Sequence, residues 1–137
     1  MIIVDANLVA YLLLKSEKAG LAEQIFAKDA EWYVPILWRS EVRNIIVNYI
    51  RHDLLTLSEA QDVMEKAHAL FADREYFVTS EHVLELAASS RCTAYDCEYV
   101  ALAQQFGIPL VTFDKAVVQN FPAVAMLPQG FLNQNIS

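Results

Sequence analysis

Met1-Ile2-Ile3-Val4-Asp5-Ala6-Asn7 opens the chain, and the fold turns on how this stretch is read. Ile2, Ile3 and Val4 are a continuous apolar, β-branched run, the signature of a strand covered on both faces in a parallel sheet. Asp5 breaks the run, and helix-forming residues resume from Ala6. A strand that ends in a carboxylate and turns at once into a helix puts that carboxylate at the C-terminal edge of the sheet. Ligands of open α/β sheets bind at this edge. Asp5 also has a plain structural reading, as an N-cap accepting from the N–H groups of Asn7 or Leu8. Only the company of other acids decides between cap and site.

The rest of the chain bounds the answer. Its 137 residues, 55% of them hydrophobic and few of them Gly or Pro, predict a single domain over 1–137 with a real core. No apolar run reaches the ~18 residues that a membrane span requires. The start reads as a strand rather than a charged leader, and Cys92 and Cys97 are too few and wrongly spaced for a disulfide framework or a metal knuckle. A cytoplasmic protein with no membrane contact is expected. The net charge of −7 argues against a binder that grips nucleic acid by neutralising phosphates. It leaves room for an enzyme that gathers carboxylates around a cation, because a bound ion inverts the local sign.

Taken in order, Ala6–Lys15 and 18–28 read as helices, and Trp32-Tyr33-Val34 as a strand ended by Pro35. A long helix from Leu37 to Arg51 carries an apolar stripe that includes Trp38, Val42, Ile45 and Ile46, with Glu41 in its middle. A carboxylate there is costly unless protonated, paired or bound to a cation, and Arg39 and Arg43 point to other faces. A helix over 58–72 capped by Ser58, a strand at Tyr76-Phe77-Val78 and a helix from Ser80 to Ser89 follow. Thr93-Ala94-Tyr95-Asp96 has the form of a capping box at the head of a helix that Gly107 closes. Asp96 therefore has a cap reading too, although it shares a face with Val100 and Ala103. Glu98 projects elsewhere and is a secondary candidate. Pro109 to Phe113 is a buried strand, and Asp114 then repeats the opening design: strand, Asp, helix (115–120). A last strand over 124–127 precedes a tail, after Pro128, expected to be loosely held.

Alternating strands and helices imply a three-layer α/β/α sandwich around a parallel sheet. Asp5 and Asp114 then reach one edge, and Glu41, one turn into a helix that leaves a strand, reaches the same crevice. Like charges at close range raise one another's pKa, so such a cluster calls for cations. Oxygen-only ligation favours Mg2+ or Mn2+ over zinc.

These motifs together resemble a PIN domain. Asp5-Ala6-Asn7 after an apolar strand, Glu41 in Trp-Arg-Ser-Glu-Val, Asp96 in Tyr-Asp-Cys-Glu-Tyr-Val-Ala-Leu-Ala, and Asp114 in Val-Thr-Phe-Asp-Lys stand in that family's order, from about Met1 to Leu127. The likeness is greatest to the small VapC-type toxins of prokaryotic toxin–antitoxin pairs. It implies a metal-dependent endoribonuclease with Asp5, Glu41, Asp96 and Asp114 as an acidic quartet and Asn7 and Thr112 as supporting polar residues. It also implies RNA as substrate, a homodimer, and a small antitoxin as partner. Cys97 stands where the family often has Ala, and Glu98 adds a carboxylate nearby.

Lys15, Arg39, Arg43 and Lys115 lie near the motifs in sequence and are the candidates for holding RNA. No aromatic platform for a base is visible, since the aromatics fall largely on core stripes, and His52, His68 and His82 are scattered. The competing readings are a non-catalytic PIN-like module for RNA or protein, a phosphatase with an aspartyl nucleophile, and a structural domain with four capping or surface acids. The first predicts gaps in the quartet, which this chain lacks. The second wants an Asp where Asn7 stands, and the third leaves Glu41 unexplained.

Overall fold

The computed structural model describes residues 1–134. β1 (Ile2–Val4) leads into α1 (Ala6–Leu13) and α2 (Ala19–Lys28), and β2 (Trp32–Pro35) into α3 (Trp38–Arg51) and α4 (Leu57–Leu70). β3 (Glu75–Tyr76) leads into α5 (Ser80–Ala88) and α6 (Ala94–Phe106), β4 (Leu110–Val111) into α7 (Lys115–Asn120), and β5 (Ala125–Met126) into α8 (Pro128–Leu132). The strands form one sheet in the order β3-β2-β1-β4-β5, and every neighbouring pair is parallel. The chain builds outward from β1 through β2 to β3, then crosses back to place β4 on β1's other side. The switch point of the sheet is therefore the β1/β4 pair, in register at Val4 and Val111.

Strand alternation sorts the side chains into two cores. Ile2, Val4, Trp32, Val34 and Val111 pack with buried residues of α1, α2, α3 and α4. Ile3 and Leu110 face the opposite way, into α6 and the buried Val83 and Val117. The α/β/α layering expected from the alternating pattern is thus what the chain adopts. Gly107 closes α6 at φ +64, and the Ile108 N–H returns to the Ala103 carbonyl at 3.1 Å, a Schellman closure.

Several local expectations change. Pro35 belongs to β2, because Val34 and Ile36 are the donors to the β3 side and no N–H is needed between them. β3 covers Glu75–Tyr76 and not 76–78: its partner strand ends at Pro35, opposite Tyr76, so Phe77 finds no ladder and is 82% exposed. Thr56, not Ser58, caps α4, since Glu59 three residues on completes a reciprocal box with it. Thr79, not Ser80, caps α5. After Pro128 the chain is not loose over 128–132. It forms α8, with Phe131 buried and the Lys28 ammonium donating to the Phe131 and Gln134 carbonyls. Residues 135–137 lie outside the described residues.

At the sheet edge, Glu75 ties β3 to α3. It accepts from the fully buried Trp38 Nε1 at 2.6 Å and takes a bidentate pair from Arg39 Nε and Nη2 at 2.7 and 2.5 Å. The ion pair itself is partly screened, because the Arg39 side chain is 39% exposed. The cost of losing Glu75 falls mainly on the orphaned indole N–H. Glu75→Ala should lower the unfolding free energy by about 1–3 kcal/mol. Glu75→Gln, which keeps an acceptor, should lose less, and urea titrations of both variants check the order.

Candidate active site

Asp5 stands immediately beyond β1, between the ends of the two strands at the switch point. Its Oδ1 accepts from the Leu8 N–H at 2.9 Å, which caps α1. Its Oδ2 accepts from the Thr112 hydroxyl at 2.7 Å and from the Phe113 N–H at 2.9 Å. The Thr112 oxygen in turn accepts from the Asp114 N–H at 3.0 Å, so one buried hydroxyl fastens both strand-ending acids. Thr112 is the only buried polar side chain among the described residues, apart from the tyrosine and cysteines counted with the core.

The other acids are fixed by their own helices. Asp114 Oδ1 accepts from the Ala116 and Val117 N–H groups and caps α7. Asp96 exchanges bonds with Thr93 in the expected capping box at the head of α6. Glu41 lies in the first turn of α3, at the margin of its apolar stripe rather than the middle: Trp38, Val42 and Ile46 are its buried residues, and Glu41 is half-buried beside them. All four carboxylates line one cleft of about 80 Å3. Asn7, Thr112 and Tyr99 complete its polar wall. The cap readings of Asp5 and Asp96 hold, and capping does not keep either carboxylate from lining the cleft.

Electrostatics mark two of the acids. Burial pushes the Asp5 carboxyl above its ordinary range, partly offset by Thr112, Leu8 and Phe113, with the Asp114 charge pushing the same way as burial. Glu41 is raised first by burial and then by Asp96, Asp5 and Glu98, while the Tyr99 hydroxyl draws it back down. Glu98 does not line the cleft, yet its charge is felt at both Glu41 and Tyr99.

Tyr99 is the residue that sequence reading missed. It sits three positions after Asp96 on the same face of α6, and burial keeps its hydroxyl protonated well above the usual tyrosine range. The hydroxyl faces Glu41 without meeting it in bonding geometry, and it has no other partner among the described residues. A buried donor of this kind calls for a partner inside the cleft. A tyrosine within the apolar stretch of α6, one turn after Asp96, was the available signal.

The four basic candidates do not gather in the wall of the cleft. Arg39 is committed to Glu75, Arg43 faces a groove between α3 and α4, and Lys15 lines a hollow beside Tyr49 and Glu59. Lys115 is exposed next to Asp114, and none of the four lines the acidic cleft. His52 bonds its own helix, His82 bonds Gln104, and His68 packs on Trp38. Cys92 and Cys97 are free and buried.

Comparison with known proteins agrees with this fold. The family model of the PIN domain matches residues 2–124. Ribonuclease VapC3 of Pyrobaculum aerophilum is 30% identical over 126 residues, covering 90% of this chain and 96% of that protein. FitAcB from Neisseria gonorrhoeae superposes with a TM-score of 0.74 at 16% identity, over 94% of this chain and 99% of that one. A toxin–antitoxin complex from Klebsiella pneumoniae superposes with a TM-score of 0.66 at 14% identity, over 93% and 98%. This chain belongs to the PIN-domain family.

Because Asp5 titrates higher in the folded chain than in the unfolded one, the fold holds its proton more tightly. That contribution to stability is full below the ordinary Asp range near pH ~4 and is lost as pH rises through the raised value. Asp5→Asn removes the loss and relieves Glu41, while its forfeited hydrogen bonds shift stability by a constant. In EDTA, the stability of Asp5→Asn relative to the unsubstituted chain should therefore grow as pH rises from 4 toward 8. A flat difference in chemical denaturation across that range would falsify the burial assignment.

Proposed function

We propose that this chain is a divalent-metal-dependent endoribonuclease that hydrolyses RNA phosphodiester bonds, and that it is the toxin of a toxin–antitoxin pair. The observation that carries this reading is the placement of Asp5, half-buried at the switch point of the sheet and sharing one small cleft with Glu41, Asp96 and Asp114. The relative named as a ribonuclease, alike over nearly its whole length, supports the nuclease activity. The fold shared with a toxin–antitoxin complex supports a small antitoxin as partner. A homodimer acting in the cytoplasm is part of the same proposal.

The side chains suit a hard cation. The cleft presents carboxylate, amide and hydroxyl oxygens with no Cys or His among its lining, a donor set for Mg2+ or Mn2+. Tyr99 supplies a second sign of fit, since an ion's water shell offers its unpartnered hydroxyl an acceptor. Among the described residues, no three acidic side chains are spaced to ligate one ion as they stand. Like charges hold one another apart, so Asp96 and Asp114 would turn toward the ion the oxygens that their capping bonds leave free, while Asp5, with both oxygens already accepting hydrogen bonds, would offer a remaining lone pair from a fixed position. When bound, such an ion lowers the pKa of water and offsets charge on the phosphoryl oxygens.

The chain's own residues do the rest. Thr112 holds Asp5 and Asp114 in register, and Asn7 orients the wall of the cleft as an outer donor. Glu41, its carboxyl raised by burial, accepts a proton from the attacking water as the water oxygen bonds to phosphorus and the bond from phosphorus to the departing ribose oxygen breaks, that oxygen taking up a proton from solvent. Tyr99, kept protonated, donates within the cleft beside it. The heads of α1, α3 and α6 contribute partial positive charge toward an incoming phosphate. Those dipoles and the ion replace the basic rim that the cleft lacks.

The test is cleavage of a mixed RNA pool with Mg2+, with Mn2+ and with EDTA, using the unsubstituted chain beside Asp5→Asn and Asp96→Asn. Fragments should appear with either ion and vanish with EDTA. Each substitution should lower the rate by more than about 100-fold, beyond what changes to outer-shell partners typically cost, with the far-UV circular dichroism unchanged. Cleavage that survives EDTA, or an active Asp5→Asn, rules the mechanism out. RNA binding with no cleavage under any condition favours the non-catalytic module.

A further inference from the structure

A second cavity adjoins the acidic cleft, and its chemistry differs. It is about 390 Å3, within the roughly 300–1,000 Å3 range of small-ligand pockets. Ala6, Asn7 and Glu41 form the wall it shares with the cleft. Beyond that wall it is neutral: Leu37 and Ile45 are apolar, and Ser40 and Asn44 are polar and exposed. Tyr95 closes the far side from the first turn of α6, one residue before Asp96. Its side chain is 63% exposed and, among the described residues, packs on no other aromatic ring.

We propose that this cavity takes the nucleobase of the RNA nucleotide flanking the scissile phosphate, stacked on Tyr95; the proposal rests on the nuclease reading above. Three features select a base over other parts of RNA. The cavity offers no cation, so a phosphate has nothing to hold it there. It pairs an exposed aromatic face with apolar side chains, which suits a flat ring and is tolerant of sequence. The amides of Asn7 and Asn44 each present a donor and an acceptor, the complement of a base edge. Neither amide makes a side-chain hydrogen bond within the described residues, so both are available. The shared wall at Asn7 and Glu41 places a base held here next to a phosphate lying over the carboxylates. Tyr95 is thereby the aromatic platform that the sequence did not disclose.

The test uses the full chain carrying Asp5→Asn, which keeps RNA intact on the nuclease reading. A short fluorescein-labelled single-stranded RNA is titrated in Mg2+ with this form and with the same form bearing Tyr95→Ala or Tyr95→Phe. Tyr95→Ala should weaken binding by about five- to a hundredfold, and Tyr95→Phe should stay within about twofold. An abasic RNA of the same length should bind all three forms alike. Equal affinities for the base-bearing RNA overturn the proposal and leave a side chain of a protein partner as the occupant to pursue. A Tyr95→Ala loss that persists with abasic RNA also overturns it. Failure of the unsubstituted chain to cleave, with the base-dependent difference intact, overturns the nuclease reading and leaves the pocket standing. No RNA binding by any form overturns both.

Discussion

The fold depends on one constraint: a carboxylate must be held out of water where two parallel strands end side by side. Asp5 meets it with three hydrogen bonds, from the Leu8 N–H, the Thr112 hydroxyl and the Phe113 N–H. Each donor comes from a different structural need. Leu8 supplies an orphan N–H of a helix head, Phe113 supplies backbone just past the end of β4, and Thr112 is the single hydroxyl that also receives the Asp114 N–H. An unpaired buried charge would cost several kcal/mol. The strand order answers this, because only the switch point brings the end of β1, the end of β4 and a helix head together.

The same bonds explain how four acids share a small cleft. Asp5 and Asp114 are helix caps and Asp96 accepts from the Thr93 N–H in a capping box, so each is partly neutralised by N–H groups and by the positive end of its helix. Glu41 is the exception. It sits within the first turn of α3 rather than ahead of it, accepts no capping bond, and collects the repulsion of Asp96, Asp5 and Glu98 on top of its burial. Asp5 and Glu41 both hold a proton more tightly than usual, but only Glu41 does so without a capping bond. That difference in environment, not in residue type, separates the ion-holding role from the proton-accepting role proposed for them.

Much of this was legible because it is local. A β-branched run broken by Asp and followed by a helix occurs at both Asp5 and Asp114, and each marks a strand end at the same sheet edge. Glu41 was conspicuous because a charge amid Trp38, Val42 and Ile46 needs a reason. The box at Thr93 and Asp96 was visible as a cap, and the geometry shows that a residue in such a box can also line the cleft. What was not legible is relational. Phe77 reads as strand by composition, but the strand beside it ends at Pro35, and no property of residues 76–78 reveals that. Arg39 looks free in sequence and is claimed by Glu75, 36 residues away. Tyr95 and Tyr99 are near neighbours on one helix, yet one is exposed at a cavity mouth and the other buried without a partner. The Thr56 cap is a different case, since Glu59 stood in plain view and Ser58 was the weaker choice.

Net charge and site chemistry bear on each other here. A chain at −7, with no basic side chain among the residues lining the cleft, has little to gain from phosphate neutralisation along an RNA strand. On the proposed reading, recognition would be concentrated where a cation among the carboxylates cancels repulsion, and beside it, where the surface turns neutral and aromatic. The cleft and the cavity share Ala6, Asn7 and Glu41, so the two requirements fall on adjacent sides of one wall. An acidic protein built this way would discriminate by the base it can stack next to the ion and not by the length of backbone it can cover. Its affinity would then depend only weakly on salt, because few counterions are released when few phosphates are touched.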